Sequence, residues 1–289
     1  MKNMNEEIAY INGEFIPRDE VRISPDDRGF LFADGIYEVA RWYEGFFYDM
    51  DGHLSRLRRS LNELAIIWEE SYTFPSIARE LISRNRLEKS QALVYLEVTR
   101  GAAKRSHAFP SPAIKPTVYA FATGFVPENQ GKEAGIKVML KEDIRWSRCD
   151  IKSVALLPNV LSFQEAISKG FGECAFVRNS NITECSHSNI FFVKSGILYT
   201  HPESAYVLAG ITRKNIIRIA RQERIEVKEE PVSLSMTGDL SEVFISNTSG
   251  EVTPVIALDD RIIGNGKPGP LSIFIRDRFN DEINTLKHS

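Results

Sequence analysis

A segment that alternates apolar and polar residues around Asn12-Gly13 constrains the fold of this chain most. In IAYINGEFIP the Asn-Gly pair stands where a two-residue type I′ turn needs two residues with positive φ, so an antiparallel hairpin is predicted. A second hairpin is predicted around Glu44-Gly45, between YEVARWY and FFYDM. Antiparallel strands joined by short turns favour a sheet with its helices grouped on one side.

Further helices and strands follow these hairpins. HLSRLRRSLNELAI and SIARELISRNRLE space their apolar residues as amphipathic helices do, and ALVYLEVTR and TVYAFATGF have the composition of strands. Beyond residue 132, IKVMLKEDIRW, ECAFVR and NIFFV predict strands, whereas NVLSFQEAISKG and GITRKNIIRIARQE predict helices. The pattern predicts an α/β (α+β) fold.

Two domains are predicted from the length and from one polar stretch. The chain has 289 residues, more than one ordinary domain needs. VPENQGK, residues 126–132, is rich in turn-forming residues and is predicted to be a linker. It would join a small N-terminal domain, 1–125, to a larger C-terminal domain, 133–289.

Composition excludes several classes of function. A net charge of -3 without a basic block gives no reason to expect nucleic acid. Cys149, Cys174 and Cys185 form no CxxC pair, so neither a disulfide framework nor a metal site is expected, and a reducing, cytoplasmic setting is predicted. MKNMNEEIAYINGEF lacks the apolar region of a signal peptide, and no apolar run is long enough to span a membrane.

Lys152 is the first candidate for chemistry. It lies in RWSRCDIKSVALLPN, between Ile151 and the apolar SVALL, where the chain is predicted to enter the interior. A lone lysine is usually a solvated surface residue. A buried lysine has a lowered pKa, and its free amine can form a Schiff base with an aldehyde. If that aldehyde is pyridoxal phosphate, the protein must also bind a phosphate and keep the pyridine nitrogen protonated.

Several segments could meet these two requirements. Gly210-Ile211-Thr212 opens a predicted helix, whose free N–H groups suit an anion, and residues 246–250 offer a second group of donors. Arg56 could add a cation, and Glu184 could pair with the pyridine nitrogen. Each feature also has a plain structural interpretation, as a turn, a solvated helix face or a loop carboxylate.

Arg105 and His107 form a third kind of candidate. They stand two residues apart in RGAAKRSHAFP, so both could point the same way from an extended loop. Arginine is a strong, fixed donor to a carboxylate, and histidine could support it. A polar surface loop would have the same composition.

The order and spacing of these segments resemble the fold-type IV pyridoxal-phosphate enzymes, the class IV aminotransferases. This family includes D-amino acid aminotransferases, branched-chain aminotransferases and aminodeoxychorismate lyases. The resemblance covers nearly the whole chain and is carried by DRGFLFADGIYEV, HLSRL, VTRGAAKRSHAFP, EDIRWSRCDIKS, NITECSHSN, GILYTHP, LAGITR and GEVTPV.

The resemblance implies a pyridoxal 5′-phosphate cofactor in the cleft between the two domains, and a homodimer. It assigns the Schiff-base lysine to Lys152, in the C-terminal domain, and the carboxylate on the pyridine nitrogen to Glu184. It assigns phosphate binding to Arg56, Ile211, Thr212, Asn247 and Thr248, packing against the cofactor ring to Leu208, and an active-site tyrosine to Tyr37.

Within the family, the Arg-x-His pair of RSHAFP is similar to the carboxylate trap of the D-amino acid aminotransferases. Arg105, His107 and Tyr37 would then hold the α-carboxylate of a D-amino acid such as D-alanine. Lys152 would transfer the Cα proton, and a 2-oxo acid would receive the amino group in a ping-pong cycle. An aminodeoxychorismate lyase, a branched-chain L-aminotransferase and a non-catalytic cofactor-binding protein are the alternatives.

The chain also departs from the family pattern. His187 stands where the D-specific enzymes usually carry serine, Cys185 replaces a small residue, and Ala155 replaces an asparagine. The turn Ser246-Asn247-Thr248 is altered as well. No departure removes a core catalytic group, but His187 could either help to bind the phosphate or simply fill space.

Overall fold

The computed structural model describes residues 7–287. Residues 1–6, which begin the predicted N-terminal domain and the stretch MKNMNEEIAYINGEF, and residues 288–289, which end the predicted C-terminal domain, lie outside this range. The chain divides into two compact units. The first contains the residues up to Val126 together with Ile151–Ala155, and the second contains Pro127–Asp150 and the residues from Leu156 onward.

The first unit is a five-stranded antiparallel sheet in the order β2-β1-β5-β4-β3. Its strands are β1 (Ile8–Ile11), β2 (Glu14–Pro17), β3 (Gly35–Tyr43), β4 (Gln91–Thr99) and β5 (Thr117–Gly124), and its helices are α1 (Arg28–Phe32), α2 (Met50–Glu63) and α3 (Phe74–Arg84). Leucines and isoleucines of α2 and α3 pack against one face of the sheet in a single core. Burial of the apolar side chains on this face is the main contribution to the stability of the first unit.

The first hairpin forms as predicted, and the second forms only in part. Asn12 and Gly13 have φ of 49° and 104°, as a type I′ turn requires. Glu44 and Gly45 also turn the chain, but only a single bridge joins Trp42 to Phe47 before α2 begins. The side chain of Asp49 accepts the N–H of Gly52 and starts that helix, which ends the returning strand early.

The second unit is built on a ten-stranded mixed sheet in the order β11-β10-β9-β13-β14-β6-β7-β8-β12, with β15 paired to β14. Its strands are β6 (Ile136–Glu142), β7 (Glu173–Arg178), β8 (Asn181–Cys185), β9 (Asn189–Lys194), β10 (Ile197–Thr200), β11 (Val227–Glu229), β12 (Val232–Ser233), β13 (Glu242–Asn247), β14 (Glu251–Leu258) and β15 (Arg261–Ile262). Its helices are α4 (Gln130–Ala134), α5 (Leu157–Ser168), α6 (Ile211–Gln222) and α7 (Pro270–Lys287). The predicted α/β (α+β) class is confirmed.

The assignment of Lys152 to the C-terminal domain needs correction. Segment Ile151–Ala155 belongs to the first unit because it pairs with the start of β3: Ser153 forms a bridge with Ile36, and the carbonyl of Lys152 accepts the N–H of Tyr37 at 2.9 Å. Ile151 is also part of the core of this unit. The boundary between the units falls within the predicted linker, whose last residues belong to helix α4.

Candidate active site

Lys152 is held by its backbone on both sides. Its carbonyl accepts from Tyr37, its N–H donates to Ser60 Oγ at 3.3 Å, and the N–H of Val154 donates to the carbonyl of Gly35 at 3.0 Å. The amine Nζ lies 4.0 Å from the centroid of the Tyr37 ring, close enough for a cation–π contact. The structure thus brings together two predicted site residues, because Tyr37 lies on β3 and the backbone of Lys152 is hydrogen-bonded to that strand.

Tyr37 belongs to a row of aromatic rings on the open face of the sheet. Its ring stacks on Tyr95, with centroids 5.8 Å apart. The Tyr95 hydroxyl donates to Glu97 Oε2 at 2.8 Å, and Glu97 lies directly opposite Tyr37 on the neighbouring strand. Burial, reinforced by the charge of Glu97, raises the pKa of Tyr95 far above its usual value, so Tyr95 remains a hydrogen-bond donor.

Arg56 lies in a buried ion pair. Its Nε and Nη2 donate to Glu38 at 3.1 and 2.5 Å, and His53 Nδ1 lies 2.9 Å from the same carboxylate. Glu38 is fully buried, which alone would raise its pKa, but Arg56 and His53 outweigh burial and hold the pKa far below its usual value. Glu38 therefore remains charged and orients Arg56. Phosphate binding by Arg56 stays a prediction.

Arg105 and His107 both lie against one ring, that of Phe32. The ring centroid is 5.4 Å from the centroid of His107 and 5.2 Å from Cζ of Arg105. Arg28 holds the loop between them by donating to the carbonyl of Ser106 at 2.6 Å. Arg105 and His107, the two residues predicted to bind a carboxylate, are both exposed. The structure therefore places Arg105 and His107 beside the same ring. Among residues 7–287, no described contact links either of them to Tyr37.

Glu184 is a buried carboxylate at the end of β8 in the second unit. Its Oε1 accepts from Arg145 Nη1 at 2.5 Å, and its Oε2 accepts the N–H of Leu208 at 3.0 Å and Asn189 Nδ2 at 3.3 Å. Burial raises its pKa, and Arg145 with the Leu208 N–H counteracts that rise. Two predicted site residues, Glu184 and Leu208, therefore meet through a direct hydrogen bond.

Arg145, which sequence reasoning did not find, forms an ion pair with Glu184. Besides Glu184 it binds Asp143 through Nε at 2.9 Å and Nη2 at 3.0 Å, and its guanidinium lies 4.3 Å from the ring centroid of Phe176. Burial would lower its pKa, but the two carboxylates raise it well above its usual value. The signal was available as an arginine at the end of the predicted strand IKVMLKEDIRW, seven residues before Lys152, although nothing in the sequence indicated its partner.

The start of helix α6 has the form expected of an anion site. Gly210 precedes it in extended backbone, no side chain caps it, and its first turn carries no acidic residue. A Cβ on Gly210 would lie 2.0 Å from Asn189 Oδ1, so only glycine allows Asn189 to approach. Ile211 and Thr212, both buried, occupy the first turn, where helical N–H groups lack intrahelical partners.

The turn after β13 is closed by the side chain of Asn247, one of the predicted phosphate ligands. Asn247 Oδ1 accepts the N–H of Gly250 at 2.5 Å, which folds the chain around Thr248. Within the described residues, the buried Ser246 Oγ has no hydrogen-bond partner. A buried hydroxyl without a partner is uncommon in native structures and is consistent with a bound polar group nearby.

Residues 7–287 lack two further kinds of feature. In that part of the chain, no group of three or more His, Cys, Asp and Glu side chains could hold a metal ion. None of the helices there has the length and apolar character needed to cross a membrane.

Comparison with known proteins gives a consistent result. Residues 35–258 match the family model described as amino-transferase class IV. The chain is 40% identical to a D-alanine aminotransferase of Staphylococcus haemolyticus over 95% of this chain and 97% of the relative. A D-alanine aminotransferase of Bacillus licheniformis is 34% identical over 94% of this chain and 95% of that protein.

Solved structures share the fold. The branched-chain amino acid aminotransferase of Escherichia coli superposes with a TM-score of 0.87 at 24% identity, covering 95% of this chain and 93% of that one. The branched-chain aminotransferase of Thermoproteus uzoniensis, solved with norvaline, gives 0.84 at 20% identity, with coverage of 96% and 94%. At these identities the likeness concerns the fold alone.

Proposed function

The chain belongs to the class IV aminotransferases, which depend on pyridoxal phosphate, and on this premise we propose that it transfers the amino group of a D-amino acid such as D-alanine to a 2-oxo acid. The preference for D-amino acids is supported by relatives of 34–40% identity over nearly the whole chain, all named D-alanine aminotransferase. The transaminase chemistry is supported above all by one observation, the buried Glu184 that accepts a hydrogen bond from Arg145 at 2.5 Å.

The residues of the second unit fit the cofactor. The uncapped start of α6 and the turn around Thr248 offer N–H and hydroxyl donors of the kind that bind phosphate. The Ser246 hydroxyl, which has no partner among the described residues, is a further sign of a site shaped for a polar ligand. In this proposal Ile211, Thr212, Asn247 and Thr248 bind the phosphate with Arg56, and Leu208 packs against the ring.

Lys152 would hold the cofactor and move the proton. When bound, pyridoxal phosphate supplies an electron sink for the pair of electrons left at Cα. Nζ of Lys152, once released by the amino acid, would accept the Cα proton as a general base and deliver it as a general acid to the cofactor carbon that carried the aldehyde. The backbone hydrogen bonds between Lys152 and β3 hold the lysine backbone in place, so Nζ would stay near Tyr37 when the side chain moves.

Glu184 would keep the pyridine nitrogen protonated. A carboxylate can do so only while it is ionised, and burial works against ionisation by raising the pKa of Glu184. Arg145 and the Leu208 N–H stabilise the charged form. We therefore assign Arg145 a positioning role that maintains both the charge and the orientation of Glu184.

Arg105, His107 and Tyr37 would bind the α-carboxylate of the substrate. Arg105 and His107 share one loop and one neighbouring ring, Phe32, so they are available together. Their exposure leaves both side chains open to a ligand. This role rests on the Arg-x-His pattern, which separates the D-amino acid aminotransferases from the other family members.

We include a cytoplasmic homodimer in the same proposal. Helix α5 exposes the apolar side chains of Leu157, Val160, Leu161 and Ile167, which a second copy of the chain would cover. All three cysteines are free, in keeping with a reducing compartment.

The decisive experiment is spectroscopic. The purified protein is loaded with pyridoxal phosphate and mixed separately with D-alanine, D-leucine and L-leucine. Loss of the visible Schiff-base band and gain of the pyridoxamine band with D-alanine, but not with L-leucine, would support the proposal. Conversion by L-leucine alone would favour the branched-chain L-aminotransferase. A band that no amino acid changes would favour the lyase, which releases pyruvate without a second 2-oxo acid.

A further inference from the structure

A buried carboxylate that has no assigned role holds the loop between β8 and β9. Glu173, fully buried at the start of β7, accepts the N–H of Cys174 at 2.8 Å and the hydroxyl of Ser186 at Oε1. At Oε2 it accepts from Ser188 Oγ at 3.2 Å and lies 3.0 Å from His187 Nδ1. A buried charge is tolerated only when it is paired and hydrogen-bonded, and four donors meet this condition here.

Ser188 connects this carboxylate to the turn after β13. Its Oγ, which donates to Glu173, accepts from Asn247 Nδ2 at 2.8 Å. At its other end, Asn247 Oδ1 accepts the N–H of Gly250 and the hydroxyl of Ser249. Three side chains in series therefore run from Glu173 to the backbone that folds around Thr248, so the orientation of Glu173 fixes that of the turn.

The charge of Glu173 would by itself act against a phosphate. Burial raises its pKa, but His187, Ser186 and the Cys174 N–H outweigh burial and lower it, so the group is ionised near neutral pH. His187 is half-exposed, and its ring lies edge-on against Phe163, 4.8 Å between centroids. A proton on His187 would offset the carboxylate without disturbing the bond to Ser188.

We propose that Glu173 is a positioning residue for phosphate binding at the turn Asn247–Gly250, and that His187 offsets its charge. The inference rests on the proposed function, since it takes the phosphate of the cofactor as the ligand of this turn. It gives the histidine that replaces the usual serine a defined role, in which it compensates a buried carboxylate.

The test compares two aldehydes that differ only in the phosphate. Pyridoxal phosphate and pyridoxal are titrated into the full-length protein freed of cofactor, and the Schiff-base band reports binding. Glu173→Gln preserves the shape but has one acceptor oxygen instead of two, so it cannot accept from Cys174 and Ser186 at one end and from Ser188 and His187 at the other. We expect its dissociation constant for pyridoxal phosphate to rise on the order of tenfold, the cost of about one lost hydrogen bond, while that for pyridoxal stays unchanged.

Companion variants sharpen the test. Ser188→Ala should weaken the binding of pyridoxal phosphate to the same degree as Glu173→Gln. The variant that carries both substitutions should bind no more weakly than either single variant, because the two residues act in series. His187→Gln should weaken the binding of pyridoxal phosphate only in a protein that still carries Glu173. Glu165→Gln, a partly exposed carboxylate on α5 paired with Lys141 and Lys169, serves as the matched control and should change nothing.

The other outcomes overturn the inference. Equal weakening of both aldehydes by Glu173→Gln would show that Glu173 only stabilises the fold. Tighter binding of pyridoxal phosphate would show that its charge, and not its hydrogen bonds, dominates. An unchanged ratio of the two affinities would show that the chain through Ser188 carries no effect. Failure of the unmodified protein to bind either aldehyde would instead refute the proposed function.

Discussion

Replacing Arg145 by methionine should destabilise the protein by about 3–5 kcal/mol at neutral pH, the usual cost of removing one partner from a buried ion pair. Methionine fills much of the same volume, so the loss is mainly electrostatic. Two buried carboxylates lose their shared partner, although Asp143 keeps Arg178 at 3.1 Å and Glu184 keeps the Leu208 N–H. These remaining contacts place the cost at the lower end of the range.

The loss should depend on pH. Burial already raises the pKa of Glu184, and removing Arg145 raises it further, so more free energy is needed to ionise Glu184 in the folded state. In the unmodified protein Arg145 and Arg178 outweigh burial and lower the pKa of Asp143, which stabilises the fold above the usual aspartate range. Both effects vanish when the carboxylates are protonated. The destabilisation should therefore be larger at pH 8 than at pH 5, and smallest near pH 4.

Urea unfolding of the cofactor-free protein at several pH values measures this directly. Arg148→Met is the matched control, since Arg148 lies in the same segment, is 41% exposed in its side chain and forms an ion pair with Asp150 at 3.0 Å. The variant Arg145→Met should also lose most of its transamination rate, because a protonated Glu184 cannot hold the pyridine proton. A destabilisation that is independent of pH, or equal in the two variants, would refute the electrostatic account.

Three further substitutions test the remaining roles. Lys152→Ala should abolish the Schiff-base band and nearly all turnover, and full activity would refute the assignment of this lysine. Arg105→Ala should weaken D-alanine binding by a few kcal/mol at most, measured as kcat/KM, with Lys104→Ala as the control; unchanged kinetics would reject the carboxylate trap. Gly210→Ala should displace Asn189, whose Oδ1 a Cβ would meet at 2.0 Å, and cost about 1–3 kcal/mol in urea unfolding, whereas Gly124→Ala, with ordinary contacts, should cost far less.

The elements that the sequence predicted are those with a strong local signal. The Asn12-Gly13 hairpin follows from turn chemistry, and helices α2, α3 and α6 follow from their apolar spacing. The short helices α1 and α4 and the two-residue strand β12 were not predicted, because so few residues carry no periodicity. Their form is set by contacts with distant parts of the chain.

The site was predictable in its chemical groups but not in its supporting contacts. Lys152 and Glu184 could be named because they carry the reactive groups of a family pattern. Arg145 and Glu173 could not be, since their importance comes from the partners that the fold gives them: Glu184 lies 39 positions from Arg145, and Ser188 lies 15 from Glu173. A charged residue in a sequence does not show whether it will be buried, and burial is what makes its partner obligatory.

The short segment Ile151–Ala155 has a consequence for how the protein can be divided. The chain leaves the first unit at Val126 and returns to it only for these five residues, so three peptide connections join the two units. A fragment ending at Val126 would lack both the segment that bridges to Ile36 through Ser153 and the lysine that this segment carries. During synthesis the first unit therefore stays unfinished until about 25 residues of the second have been made, and no single cut separates the gene into two self-sufficient halves.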